Sequence, residues 1–334
     1  MRQTQVAFLN VSLSTMRLFN KEFKTLFNVI KKSDSILLFT HSYPDADAVG
    51  SVLALKKYLE SLSKKTTLGC LDPFPDFLKN LSNEKFANPA TLDLASFDLI
   101  IACDSVEHGF DKIFPEIKDE KVVALLDHHP DITLQGDINI IDPTYSSTCE
   151  IVYDFFLENR VEINREMATF ILLGILGDTG IFQHSNTTPK VMEIASALMK
   201  KGATLSKIVS TNFSNKKMST LKLWGKTFEK AQLNKENRMI ISVITKKDLS
   251  KCGATTEDIS QVAEILNTVP GTKFSLILSE RAGDTIKGSL RSEDYKGVDV
   301  SKIARSFGGG GHKLAAGFEV KGKIIETKDG WKIV

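Results

Sequence analysis

No apolar stretch in the 334 residues reaches the roughly 18 needed to cross a bilayer, which argues against a membrane-spanning helix. Cysteine is scarce. Cys70, Cys103, Cys149 and Cys252 are the only four, and none forms a C-x-x-C pair. That argues against a thiolate zinc site or a thioredoxin-like motif and reads as free thiols in a reducing compartment. Charge of one sign is also lacking: 43 Lys and Arg against 41 Asp and Glu leave a net +2. Bulk electrostatics therefore predicts no avid binding to long nucleic acid, and basic character must be local. Residues 1–15 lack a long apolar core and an A-x-A cleavage site, so they do not read as a signal peptide. They read as an ill-packed extension; Met16 would serve as a start as well as Met1, and the working location is the cytoplasm. There is no internal repeat and no low-complexity tract.

A chain of this length exceeds the usual size of one core, so two domains are expected. Residues 18–32 carry apolar positions at helical spacing. Short apolar runs at 35–40, 98–102 and 121–126 look like buried parallel strands, with a further strand near 66–70. Helices are expected at 48–62, 147–159 and 164–176. Alternating strands and helices predict an α/β domain with a mainly parallel sheet over 18–195. Residues 196–236 read as a helical connector after a 1–17 extension. A smaller α/β domain is expected over 237–334, with strands at 239–244, 274–278 and 285–290 and helices at 256–266 and 298–307.

Carboxylates and imidazoles gather after the strand-like runs. His41, Asp45 and Asp47 follow the first, in H-S-Y-P-D-A-D-A-V-G-S; Asp104 follows the second; Asp127, His128 and His129 follow the third. Asp178 lies in G-D-T-G. An aspartate at a strand–helix junction is often only an N-cap or a turn residue. Four clusters, three of them at the carboxyl ends of strands, are more than capping requires, and that sheet edge is where α/β proteins place their chemistry. Hard divalent cations take oxygen ligands and Mn²⁺ also accepts imidazole, so the set suits a two-metal site that hydrolyses phosphoesters. Asp45 and Asp47, two apart on a turn, can reach different ions, and Asp104 is the natural bridge. His129 either supports the site from behind or contacts phosphate directly. His108 and His184 read as ordinary histidines. In the second domain, Gly308 to Gly311 followed by His312 offers backbone N–H groups and an imidazole to an anion. Arg291, in G-S-L-R-S with Ser289, can hold phosphate or stack on a base. Lys287, Lys296, Lys302, Arg305 and Lys313 make that region basic.

The series H-x-x-P-D-x-D-x-x-G-S, Asp, D-H-H and G-D-T-G resembles the DHH phosphoesterase superfamily. G-G-G-G-H resembles the glycine–histidine motif of its DHH-associated C-terminal domain, so the likeness spans nearly the whole chain. The resemblance implies two Mn²⁺ ions, with Mg²⁺ or Co²⁺ as substitutes. It assigns His41, Asp45 and Asp104 to one ion and Asp47, Asp104, His128 and Asp178 to the other. Asp127 then supports the site from behind and His129 faces the substrate phosphate. It further implies an active site in an interdomain cleft, with Ser289, Arg291, Gly308, Gly309, Gly310, Gly311 and His312 binding substrate.

Among family members the likeness is to the two-domain nanoRNase type, which degrades very short oligonucleotides and dephosphorylates 3′-phosphoadenosine 5′-phosphate (pAp). The expected partners are short single-stranded oligonucleotides or nucleotide bisphosphates, with no long duplex and no membrane; a homodimer is compatible. A linear or cyclic dinucleotide phosphodiesterase is the main alternative. An inorganic pyrophosphatase or a non-catalytic nucleotide-binding protein stands further off.

Overall fold

A computed structural model describes residues 19–334 apart from 107–108, 118–120, 131, 214–215, 260, 312 and 328–329. The expected 1–17 extension with Met16, and the candidates His108 and His312, lie outside the described residues. The chain divides into two compact units, one ending at Asn212 and one beginning at Phe213.

The first unit opens with α1 (Asn20–Lys32), which buries Phe23, Leu26 and Ile30 along one stripe. Its sheet comprises β1 (Ser35–Phe39), β2 (Lys65–Gly69), β3 (Leu99–Cys103), β4 (Val122–Asp127) and β5 (Ile138–Ile141). All pairings are parallel, in the order β2-β1-β3-β4-β5. Successive residues of the central strands are buried on both faces: Leu37, Phe39, Ile100 and Leu125 join one cluster, while Ile36, Leu38, Ile101 and Leu126 are equally buried. That two-sided burial makes them continuous apolar runs. The helices are α2 (Ala46–Ser61), α3 (Phe114–Ile117), α4 (Thr148–Glu158), α5 (Arg165–Asp178), α6 (Pro189–Lys200) and α7 (Leu205–Ile208).

The second unit starts with α8 (Met218–Glu229). Its strands are β6 (Gln232–Asn234), β7 (Met239–Ile244), β8 (Phe274–Arg281), β9 (Thr285–Ser292), β10 (Gly310–Gly311) and β11 (Ala315–Lys321). They form one mixed sheet, β10-β11-β9-β8-β7-β6, in which β7 and β8 run parallel. Leu276 and Leu278 face one apolar cluster and Ile277 faces another, the period-2 signature of a sheet covered on both sides. The helices α9 (Lys246–Cys252), α10 (Val262–Asn267) and α11 (Val300–Ser306) pack with it, and β12 (Ile324–Thr327) pairs with β13 (Gly330–Ile333).

Several expectations need correction. The helix expected over 256–266 is divided: a 3₁₀ turn at Thr256–Ile259 gives way to α10, with Gln261 between them in a left-handed conformation, φ +69°. The expected start of α2 at 48 is two residues late, because Asp45 caps the helix and draws Ala46 and Asp47 into its first turn. Strands β5, β6, β10, β11, β12 and β13 were not expected at all, and β6 lies within the stretch expected to be a helical connector. Among the described residues, no helix is long and apolar enough to cross a membrane.

Candidate metal centre

In the order β2-β1-β3-β4-β5 the chain leaves β1 in opposite directions toward β2 and β3, and such a switch point opens a crevice at the carboxyl ends of the strands. His41 lies two residues beyond β1, Asp104 directly beyond β3, and Asp127 closes β4. The three strand ends therefore converge by topology alone.

Asp45 serves as an N-cap and as a cluster member at once. Its Oδ1 accepts the backbone N–H groups of Asp47 (2.9 Å) and Ala48 (3.0 Å), while 56% of its side chain stays exposed. Asp47 sits in the first turn of α2, not on an open turn as expected, and is fully buried. The amino end of α4 grips it: Thr148 N–H donates to Oδ2 at 2.6 Å and Cys149 N–H to Oδ1 at 2.9 Å. A helix amino terminus favours a carboxylate in this position. Asp178, the last residue of α5, enters from a helix and not from a strand end.

His41 Nδ1 donates to the Ser42 carbonyl at 2.7 Å, which turns Nε2 toward Asp104 (3.6 Å) and Asp45 (3.8 Å). His128 Nε2 lies 2.9 Å from Asp178 and 3.8 Å from Asp104. Asp127 is buried; its Oδ2 accepts Val106 N–H at 3.0 Å and its Oδ1 accepts His129 N–H at 2.9 Å. Oδ1 also lies 2.6 Å from His129 Nδ1, which is 3.2 Å from Asp104.

Three groups of potential ligand atoms result, each with its atoms within 4.8 Å of one another: His41, Asp45 and Asp104; Asp47, His128 and Asp178; and Asp104, His128 and His129. The first and third share Asp104, and the second and third share His128, so the groups interlock. The donors are oxygen and imidazole without thiolate, which fits Mg²⁺ or Mn²⁺ better than a soft metal.

The electrostatics point the same way. Burial first, then the negative charge of Asp178 and Asp104, pushes the Asp47 carboxyl well above its ordinary range. Burial, together with Asp45 and Asp104, lifts Asp178 to about 6 against the pull of His128. For the imidazoles burial works downward, but hydrogen bonds to Asp104 and Asp45 overcome it and raise His41 to about 12. Asp104 and Asp127 raise His129 to about 10 in the same way. Asp104 itself stays well below the usual carboxylate range, because hydrogen bonds from His129 and His41 outweigh its burial. So many buried carboxylates call for positive charge, which divalent cations would supply. The buried hydroxyls of Thr40 and Ser105, each next to a cluster residue, have no partner among the described residues.

Sequence reasoning missed the hold of α4 on Asp47. Ser147 and Glu150 do carry an N-cap signal, and Ser147 Oγ accepts Glu150 N–H at 3.1 Å. Nothing in that signal says which carboxylate the helix will face. His184, read as ordinary, places Nδ1 3.1 Å from the Asp178 carbonyl.

The residues proposed for substrate lie in the second unit. Ser289 and Arg291 are in β9, and Arg291 reaches Glu264 at 3.5 Å and the Leu290 carbonyl at 2.9 Å. The glycine stretch has structural work of its own. The N–H groups of Gly308 and Gly309 donate to the carbonyls of Arg305 and Ala304, closing α11. A Cβ on Gly309 would come within 2.2 Å of the Gly317 carbonyl, so only glycine allows this approach to β11.

This is the architecture of a two-domain DHH protein, and the chain belongs to that family. Residues 35–175 match the DHH family N-terminal domain and residues 236–329 match the DHHA1 domain. The chain is 31% identical to the bifunctional oligoribonuclease and PAP phosphatase NrnA of Bacillus subtilis, over 88% of this chain and 92% of that one. Its identity to the protein of that name from Thermus thermophilus is also 31%, over 87% and 86%. A solved exopolyphosphatase-related protein from Bacteroides fragilis superimposes with a TM-score of 0.84 at 25% identity, covering 91% of this chain and 92% of that one.

Proposed function

We propose that this chain hydrolyses phosphoester bonds in very short oligoribonucleotides and in pAp, with two Mn²⁺ ions at the carboxylate–imidazole cluster. The observation that carries the reading is the interlocking of the ligand groups through Asp104 and His128. The names of the Bacillus subtilis and Thermus thermophilus relatives support the substrate class. His41, Asp45 and Asp104 hold one ion, and Asp47, Asp104, His128 and Asp178 hold the other. When bound, such a pair polarises the phosphoryl group and activates water for in-line attack.

The chain's own residues orient and exclude. The backbone of α4 fixes both oxygens of Asp47. Asp127 holds His129 through Nδ1 and the main chain, which keeps the ring in one orientation beside Asp104. His129, its ring fixed by Asp127, donates to a phosphate oxygen as charge builds there. Ser289, Arg291, the stretch from Gly308 to Gly311 and His312 take the remainder of the substrate.

The test is a substrate panel: purified protein and Mn²⁺ with di- to decanucleotides, pAp, cyclic dinucleotides and pyrophosphate. The expected result is fastest turnover of dinucleotides and pAp. Preference for pyrophosphate, or no turnover of any member, overturns the reading.

A further inference from the structure

The chain turns back on itself directly after Asp178, the last residue of α5. Gly180, Ile181 and Phe182 follow with φ of +54°, +58° and +64°, three left-handed residues in a row. Glycine takes that conformation freely; a β-branched isoleucine and a phenylalanine do not. Strain of this kind persists only where the surroundings over-determine it. Here Ile181 N–H donates to the Leu176 carbonyl at 2.8 Å and Phe182 N–H donates to Thr179 Oγ1 at 3.1 Å. The turn brings the next segment back over the end of α5, where His184 and Asn186 both reach the Asp178 carbonyl. His184 Nδ1 lies 3.1 Å from it and Asn186 Nδ2 lies 3.2 Å from it.

The last carbonyls of a helix have no partner within it, so side-chain donors at this point read first as a cap. His184 alone fulfils that need. Asn186 reaches further: its Nδ2 also donates to the Ser146 carbonyl at 3.1 Å. Ser146 directly precedes Ser147, the N-cap of α4, and its own N–H and hydroxyl donate to Glu150 in the first turn of that helix, each at 2.8 Å. One amide group therefore joins the carboxyl end of α5 to the amino end of α4. The first end carries Asp178. The second grips Asp47 through the N–H groups of Thr148 and Cys149. Asp47 and Asp178 belong, with His128, to one ligand group. Two facing carbonyls can only accept, which fixes the amide with its nitrogen toward them. Its Oδ1 is left buried without a partner among the described residues. Burying an unpaired acceptor is costly, so it is the donor side that holds this side chain in place.

We infer that Asn186 is a positioning residue of the metal centre: by tying α4 to α5 it sets Asp47 and Asp178 at the separation that lets both reach one ion. It acts through two backbone carbonyls and not through a carboxylate. The inference rests on the two-ion reading above and adds to it. One ion depends on Asn186 and the other does not, because His41, Asp45 and Asp104 are carried by the segments that follow β1 and β3.

The experiment titrates the full chain with Mn²⁺ and reads free Mn²⁺ by electron paramagnetic resonance. No substrate is present, so the outcome is independent of which phosphoester the chain cleaves. Asn186→Leu keeps the branched outline of the side chain and removes the donor. It should weaken binding of one ion by about 10- to 100-fold, the usual effect of losing a group that orients a ligand, and leave the other unchanged. Two further backgrounds assign the loss. Asp45→Asn impairs the group of His41, Asp45 and Asp104, and Asp178→Asn impairs the group of Asp47, His128 and Asp178. Asn186→Leu should weaken the ion that survives in Asp45→Asn and spare the ion that survives in Asp178→Asn. Asn186→Ser, a smaller change whose hydroxyl is too short to span both carbonyls, should show the same pattern. Thermal melts in EDTA establish that each variant is folded. Equal weakening of both ions, or unchanged affinity for both in a folded variant, overturns the inference and leaves the two-ion reading standing. A wild-type chain that binds fewer than two Mn²⁺ ions overturns both.

Discussion

Asp104 combines a left-handed backbone, φ +54°, with a carboxylate that belongs to two of the three ligand groups. Aspartate tolerates that conformation better than most residues, and such strain tends to collect at functional positions. Asp104→Ala should lower turnover by more than about 100-fold, beyond the 10- to 100-fold typical of residues that only orient a ligand. Its melting curve should show a folded protein; near-normal turnover would remove Asp104 from the bridging role. Asp127→Asn, which disturbs the hold on His129 and an acceptor of Val106 N–H, should fall within that 10- to 100-fold range and leave metal stoichiometry unchanged in a titration. The imidazoles make a separate prediction. In the metal-free chain His41 stays protonated up to about pH 12, so an incoming cation must displace that proton. Metal affinity should therefore rise with pH through the neutral range. Calorimetry in two buffers of different ionisation enthalpy should reveal proton release on binding. Below about pH 6 Asp178 must give up its proton too, which weakens binding further. Binding without proton release would mean that His41 is not a ligand.

At the scale of elements, the site depends on how closely α2, α4 and α5 approach one another. A Cβ on Gly174 of α5 would lie 2.2 Å from Cys149 Sγ and 2.6 Å from Asp47 Oδ1. One on Gly50 of α2 would lie 2.5 Å from the Phe170 carbonyl. Gly174→Ala should therefore destabilise the fold by about 1–3 kcal/mol, the usual cost of overpacking a tight core, and should also displace Asp47. A lower melting temperature together with weaker metal binding is the expected pair of results. Loss of stability with unchanged metal affinity would show that Asp47 moves independently of α5. These contacts also mark the limit of sequence reading. β1, β3 and β4 were legible because burial on both faces makes them uniformly apolar, and their acidic ends were legible because capping alone does not need so many. The grip of α4 on Asp47 joins positions 101 and 102 residues apart, and no local pattern encodes it. β5 escaped notice because it is four residues long and only alternately buried. β10 and β11 were hidden by glycines whose use depends on a partner strand, and the 256–266 helix was overcalled because nothing local announces the left-handed Gln261.

At the scale of the molecule, charge bears on substrate length. The net charge is +2, and the basic residues expected to form a local patch are largely engaged. Lys313 pairs with Asp294 at 2.7 Å, Lys302 lies 3.8 Å from Asp299, and Lys296 donates to Asn267 Oδ1 at 2.8 Å. A long strand would need a continuous run of unpaired cations to follow its phosphates, because each phosphate contact on a single strand contributes about 0.7 to the slope of log affinity against log salt. A dinucleotide or pAp offers only one or two phosphates. For such substrates the slope of log kcat/KM against log salt should be no steeper than about −2, and extending the strand should not make it steeper. The rate itself should fall as the substrate lengthens beyond a few nucleotides, since Lys296, Lys302 and Lys313 already have partners. Measuring kcat/KM for a dinucleotide and for a long single strand across a salt series tests both expectations together. Comparable rates on the two substrates, with a salt slope that steepens on the longer one, would reveal an extended binding track and replace the short-substrate reading with that of a processive exonuclease.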